Sequence, residues 1–271
     1  MKNTEDGMKM NENIILKLGG SVITDKKSET PKVNFENLKR LAKEISQYSG
    51  RLILIHGAGS YGHQIVKKTG IHKGIENQDQ IIAFAETQRL QNELNSIVCK
   101  ELIAEKIPAI PVQASASAVM NEKRLINMDI EALNGFLEVG MVPVLYGVPA
   151  YDKKQKCSIL SGDQIAPYLA EKLNIKKIIH GTNVDGVFTA DPYKNPNAKL
   201  IPLISSDNLE DVKKALSESS SVDVTGGMLG KITELLHLAE QGVESVLVNA
   251  EKENYVKKAL LLEDVIKTVI K

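Results

Sequence analysis

Lysines set beside glycine-rich turns are the residues of this sequence that could move a phosphoryl group. Three such turns occur: Lys17-Leu18-Gly19-Gly20-Ser21, Gly57-Ala58-Gly59-Ser60-Tyr61-Gly62-His63 and Thr225-Gly226-Gly227-Met228. Glycine lets backbone N–H groups approach phosphate oxygens closely, and a helix N-terminus adds partial positive charge. A single strand-ending glycine turn is more often mere chain reversal. Three of them, accompanied by Lys17, Lys26 and Lys231, form a pattern. Lys17 interrupts the aliphatic run Ile14-Ile15-Leu16-Lys17-Leu18, where a charge is costly unless it has a partner. Lys26 adjoins Lys27, and Lys231 lies one helical turn past Gly227; for both, a solvated surface position is the default. Asp163, in Ser161-Gly162-Asp163-Gln164, would either cap the following helix or orient the lysines. His63 stands where a helix starts after the second turn, either donating a hydrogen bond to an anion or serving as a structural residue. His56, His72, His180 and His237 offer no constellation.

Other phosphate and nucleotide chemistries fit less well. The second turn spells G-x-G-x-x-G at Gly57, Gly59 and Gly62, but the acidic residue that a dinucleotide site needs about 20 positions on, at a strand end, is missing. Around that distance the chain reads His72-Lys73-Gly74-Ile75-Glu76-Asn77-Gln78-Asp79. No G-x-x-x-x-G-K-[ST] occurs, nor do the protein-kinase signatures.

The elements that must carry these turns alternate between short aliphatic runs and longer segments of helical period, which predicts βαβ units around a mainly parallel sheet. Expected strands are Ile14 to Leu18, Leu52 to Ile55, Ala109 to Val112, Val142 to Tyr146, Ile178-Ile179 and Ser245 to Val248. One helix carries Leu38, Leu41, Ala42 and Ile45 behind Asn34 as its N-cap. A long one carries Leu90, Leu94, Ile97, Val98 and Leu102, and another runs from about Leu229 to Glu240. Ser217 to Ser221 reads as a polar loop. With 271 residues, 42% of them hydrophobic, the chain can bury a large core. Its 34 basic and 34 acidic side chains cancel, so no long-range field gathers nucleic acid or an anionic membrane. Cys99 and Cys157 have neither disulfide-framework nor zinc spacing, which suits a reducing cytosol. No segment approaches a membrane span or a signal h-region, and residues 1–13 read as a polar tail.

Taken in order, Lys17 to Ser21, Thr24-Asp25-Lys26, His56 to His63, Ser161-Gly162-Asp163, Val184-Asp185-Gly186-Val187, Asp191-Pro192 and Asp223 to Met228 resemble the amino acid kinase superfamily, from about Ile14 to Ile270. Within it, Gly-Ser-Tyr-Gly-His and Asp-Val-Thr-Gly-Gly-Met resemble the archaeal-type isopentenyl phosphate kinases. The resemblance implies an α/β/α sandwich with a mainly parallel central sheet, forming one domain over 14–271. Its N-terminal acceptor lobe would span about 14–173 and its C-terminal nucleotide lobe about 174–271. It further implies ATP and Mg²⁺, a small phosphorylated acceptor, a cytoplasmic homodimer, and no nucleic acid or membrane. On the nucleotide side it places the backbone around Lys17, Leu18, Gly19, Gly20 and Ser21, with Gly59, Asn183, Asp185, Gly227 and Lys231. Facing the acceptor are Ala58, His63 and Gly162. Lys26 would stabilise the transferring group, with Lys17 and Lys231, and Asp163 would organise the lysines.

Two departures stand out: Gly147-Val148-Pro149 replaces an expected Gly-Asp, and Asn183 replaces the first aspartate of an expected Thr-Asp-Val-Asp-Gly. A phosphate-monoester acceptor is already anionic near neutral pH, its second pKa being about 6, so no general base is needed. A fosfomycin-type phosphonate kinase and a non-catalytic nucleotide-binding protein are the alternatives.

Overall fold

The computed structural model describes residues 12–25, 28, 30–190, 192, 194–218 and 232–271. Lys26, Asp191, Gly226, Gly227 and Lys231, with the whole third glycine turn, lie outside the described residues.

The run Ile14-Ile15-Leu16-Lys17-Leu18 forms β1 (Ile14–Leu18), buried along its whole length in the interior of an eight-stranded sheet. A strand hydrogen-bonded on both edges and covered on both faces must be nearly all apolar, and this one is, except at Lys17. On one side of β1 lie β2 (Leu52–His56), β6 (Val142–Tyr146) and β3 (Ala109–Pro111). On the other lie β9 (Lys177–Thr182), β13 (Glu244–Asn249), β14 (Thr268–Ile270) and β12 (Leu203–Ile204). Every neighbouring pair is parallel except β13 with β14.

Alternation along β1 sends Ile15 into one core and Ile14, Leu16 and Leu18 into the other. The second core is covered by α2 (Phe35–Ile45), α4 (Gln78–Ala104) and α10 (Tyr255–Leu260), through residues such as Leu38, Leu41, Leu94, Val98 and Leu260. The first is covered by α6 (Glu131–Glu138), α7 (Gly162–Lys172) and the helix α9 (232–240). The result is the expected α/β/α sandwich. Each fully buried Ile or Leu in these layers contributes roughly 1.5–3 kcal/mol relative to exposure. Asn34 caps α2 as its sequence position predicts, accepting from the Asn37 amide at 3.2 Å. Ser217 and Glu218 close α8 (Leu209–Glu218) rather than opening a loop.

A second sheet, absent from the sequence reading, has the order β5-β4-β7-β8, with β4 (Ala118–Asn121), β5 (Arg124–Met128), β7 (Val148–Asp152) and β8 (Lys156–Leu160). Asp152 ties it together. Burial alone would raise that carboxyl, but it accepts from the amides of Lys123 (2.8 Å), Lys154 (2.9 Å) and Gln155 (3.1 Å) and from the Ser158 hydroxyl (2.9 Å). Those bonds bring its pKa down to about 2. The knot fixes the strands whose near ends, Val148-Pro149 and Ile159, wall the site described next.

Candidate active site

Parallel strands direct their carboxyl ends to one edge of a sheet, and crevices form there where the strand order reverses. In this protein β1 is followed by β2 on one side and β9 on the other, so the ends of all three flank one crevice. The ladder continues one residue past the strands. The Gly19 amide donates to the Gly181 carbonyl (2.9 Å), Gly57 to Leu18 (2.9 Å) and Gly147 to His56 (3.0 Å). Four strand ends are thereby locked in register at the crevice. The Gly19 amide is thus engaged within the sheet; Gly20 and Ser21, at the start of the short helix α1 (Gly20–Ile23), offer the next amides.

The first two glycine turns touch backbone to backbone. A Cβ on Gly20 would fall 2.8 Å from Gly59 Cα, and one on Gly57 would fall 3.1 Å from Gly20 Cα. Gly59 also has φ +51°, a conformation that favours glycine. Thr24 bolts the two turns together: its hydroxyl donates to the Gly20 carbonyl (2.8 Å) and accepts from the Ser60 amide (3.1 Å). The absence of side chains at Gly20, Gly57 and Gly59 therefore sets the distance between two candidate phosphate-binding loops.

Lys17 points to the face on which α7 begins. Its ammonium is 3.2 Å from Asp163, in the first turn of α7, and only 9% of the residue is exposed. A Cβ on Gly162 would lie 3.0 Å from Ile55 and 3.5 Å from Lys17 Cε, so glycine is what lets the helix start so near the strand. Asp163 is not the N-cap: Ser161 holds that position, and the carboxylate turns to the lysine. The β1–β9 register sets His180 opposite Lys17, with His180 Nδ1 4.0 Å from Asp163. Sequence reading gave His180 no constellation; only the strand pairing reveals one.

A cavity of about 230 Å³ unites these parts. Lys17, Gly20, Gly57, Asp163 and the expected acceptor residues Ala58, His63 and Gly162 all line it. His63 opens α3 (His63–Thr69), as expected. The lining is completed by Val66, Val148, Pro149 and Ile159, with Thr87 and Gln91 from α4, two residues not singled out in the sequence analysis above. Leu18, Gly19, Ser21 and Gly59 stand behind the cavity in or against the β1 turn. Asn183 and Asp185 lie beyond it, in the bend after β9. There Asp185 binds Lys252 (2.8 Å) and Asn249 (3.1 Å). Among the described residues no group of three or more His, Cys, Asp or Glu gathers to hold a metal.

His56 is structural. Its ring stacks on Tyr146, with centroids 5.5 Å apart, and its Nε2 meets the Asn95 amide at 3.1 Å. Complete burial, only partly offset by the Gly57 carbonyl, lowers its pKa to about 4 and keeps it neutral.

Residues 12–249 match the family model described as amino acid kinase family. The chain is 45% identical to the isopentenyl phosphate kinase of Methanothermobacter thermautotrophicus, over 93% of this chain and 96% of that one. To the enzyme of the same name from Methanocaldococcus jannaschii it is 35% identical, over 92% and 95%. A crystal structure of an isopentenyl phosphate kinase superposes with a TM-score of 0.84 at 41% identity, covering 96% of this chain and all of that one. At 18% identity and a TM-score of 0.66, the UMP kinase of Ureaplasma parvum shares the fold. Fold, site geometry and kinship agree, and the chain belongs to the amino acid kinase family.

Proposed function

We propose that this protein is an ATP-dependent phosphotransferase that converts isopentenyl phosphate to isopentenyl diphosphate. The observation that carries the choice of acceptor is the make-up of the cavity. Its lining brings together His63, Lys17 and two glycine turns suited to phosphate with an aliphatic set, Val66, Val148, Pro149 and Ile159. A short branched hydrocarbon fits such a lining, whereas the second carboxylate of an acidic amino acid would lose its water there without gaining a partner. Val148, standing where the aspartate of an expected Gly-Asp would be, adds to that apolar surface.

In the proposed reaction an oxygen of the acceptor phosphate attacks the γ-phosphorus of ATP, the bond to the β,γ-bridging oxygen breaks, and ADP leaves. The chain contributes position and charge. The touching turns hold two anionic groups at a fixed separation, His63 grips the acceptor phosphate, and Lys17, oriented by Asp163, offsets charge on the migrating group. Lys26 and Lys231 complete the cationic set, and Gly227 belongs with the nucleotide. Asn183 and Asp185 border the nucleotide end. Magnesium brought in with ATP would supply neutralising charge at its phosphates. A cytoplasmic homodimer of one domain, with acceptor lobe 14–173 and nucleotide lobe 174–271, completes the reading. Among the described residues no helix is long and apolar enough to cross a membrane.

The test is ADP release from ATP with a panel of isopentenyl phosphate, fosfomycin, UMP, glutamate and aspartate. Isopentenyl phosphate should give the highest kcat/KM. A preference for the phosphonate or an amino acid would overturn the proposal.

A further inference from the structure

Two helices begin beside charged residues of the site: Asp163 stands in the first turn of α7, and Lys231 directly precedes α9 in sequence. The inner faces of these helices share one core, through residues such as Ile165, Leu169, Ile232 and Leu235. Elsewhere they are not packed on each other. A cleft of about 550 Å³ is lined by Gln164 and Tyr168 of α7, by Glu234 and His237 of α9, and by Arg124 and Leu125 of β5. Asp163 borders both this cleft and the acceptor cavity, with 39% of its side chain exposed, so packing alone does not hold its carboxylate in place. What joins the helices at the cleft is β5, the outermost strand of the second sheet. Its free edge is bonded to side chains instead of to another strand. The Gln164 carboxamide accepts from the Leu125 amide (3.0 Å) and donates to the Lys123 carbonyl (3.1 Å). One turn on, the Tyr168 hydroxyl accepts from the Met128 amide (3.0 Å) and donates to the Met128 carbonyl (3.2 Å). Arg124, between the two residues that bond Gln164, sends its guanidinium to Glu234 of α9. Three consecutive residues of β5 thereby hold both helices. Each grip lies close in sequence to a charged residue: Gln164 adjoins Asp163, and Glu234 follows Lys231 by one helical turn.

Resting on the kinase reading above, we propose that residues 123–125 of β5 act as a tie that sets the separation of the two helix starts, with Gln164, Arg124 and Glu234 as positioning residues for Asp163 and Lys231. None of the three lines the acceptor cavity. They act through the groups they place. Transfer requires the cationic residues to reach the migrating phosphoryl group together, and charges already fixed where that group will stand cost no rearrangement at the moment of reaction. The Arg124–Glu234 pair is 69% and 42% exposed, so it adds little to global stability. Its consequence is geometric, because it spans elements 110 positions apart in the chain.

The experiment measures kcat, both KM values and thermal unfolding, with ATP and isopentenyl phosphate, for Gln164→Met, Tyr168→Phe, Arg124→Glu, Glu234→Arg and the double exchange Arg124→Glu/Glu234→Arg. Gln164→Met keeps length and removes both hydrogen bonds beside Asp163; it should lower kcat by about tenfold with each KM within about twofold of wild type. Tyr168→Phe removes the other two bonds between the same helix and strand, one turn farther from Asp163. It should leave kcat within about twofold at a similar shift in unfolding temperature. Each charge reversal should lower kcat by about two- to fivefold, and the double exchange should restore most of that loss. Equal loss of kcat in Gln164→Met and Tyr168→Phe, a raised KM at unchanged kcat, or a double exchange no better than the single reversals overturns the inference. If Gln164→Met does not fold, Gln164→Glu, which keeps the acceptor for the Leu125 amide and loses the donor, carries the same comparison. No ADP from any acceptor with wild-type protein defeats the kinase reading and this inference with it. ADP from wild-type protein together with any of the overturning results defeats this inference alone.

Discussion

Gly20→Ala should separate the two phosphate-binding turns while leaving the rest of the fold in place. The new methyl would sit 2.2 Å from the Gly59 amide nitrogen and 2.8 Å from Gly59 Cα, and ordinary contact begins at 3.4 Å, so the turns must part by about 3.4 − 2.2 = 1.2 Å. The obstacle is backbone, which cannot rotate away as a side chain tip does. Overpacking of this kind costs about 1–3 kcal/mol of stability. Because in-line transfer depends on the distance between the reacting groups, and a misplacement of about 1 Å can cost on the order of 10²-fold, kcat should fall by about a hundredfold. Gly19→Ala is the control: its Cβ would meet the Gly181 carbonyl at 3.5 Å, Val22 at 3.6 Å and Ser21 at 3.8 Å, all ordinary contacts, so unliganded stability should stay within about 0.5 kcal/mol of wild type. Thermal unfolding without ligands, followed by steady-state ADP release at saturating ATP and acceptor, separates the two effects. If Gly20→Ala is as stable and as fast as the wild type, the touching turns do not set the reacting distance.

Three further outcomes follow from the same geometry. His63→Ala should weaken acceptor binding by about 1.5–3 kcal/mol, seen as acceptor KM, while ATP affinity holds; an unmoved acceptor KM would remove His63 from the phosphate. His56 is held neutral with a pKa of about 4 against an ordinary 6.5, so the unfolded chain takes up this proton first. Its share of stability is whole above pH 6.5 and is lost as the pH falls toward 4, about 3 kcal/mol in all, and His56→Phe should flatten that part of a denaturation-versus-pH curve. Asn183→Asp should change ATP KM little if this position hydrogen-bonds the sugar or base; a several-fold, salt-sensitive change in ATP or Mg²⁺ dependence would place it against phosphate instead.

The strands were legible because each is a short aliphatic run ended by glycine or a polar turn: β1 and β6 fall where the sequence puts them, and β2, β9 and β13 extend by a residue or more. The buried pairing of Lys17 was legible too, since a charge inside an apolar strand demands a partner. Its partner's geometry was not, because Asp163 lies 146 positions away and meets Lys17 only through the packing of α7 on β1. His180 was missed for a related reason: parallel register is a property of two strands and neither sequence alone states it. The second sheet was missed because strands such as Arg124-Leu125-Ile126-Asn127-Met128 and Lys156-Cys157-Ser158-Ile159-Leu160 mix polar and charged residues with apolar ones instead of forming aliphatic runs, and one buried carboxylate, Asp152, ties them together. Gln91 had a readable signal. Thr87, Gln91 and Asn95 recur at four-residue intervals beside the apolar stripe of α4, and a polar stripe at that spacing marks one helical face that is either solvated or, as here, buried against a site.

The central claim, transfer of the γ-phosphoryl group of ATP to isopentenyl phosphate, is tested most directly by following the group itself. Purified protein with [γ-³²P]ATP, magnesium and isopentenyl phosphate should place the label in isopentenyl diphosphate, on the terminal phosphorus, with one ADP formed per label transferred. Label released as inorganic phosphate, or retained in ATP while isopentenyl phosphate is recovered unchanged, would contradict it.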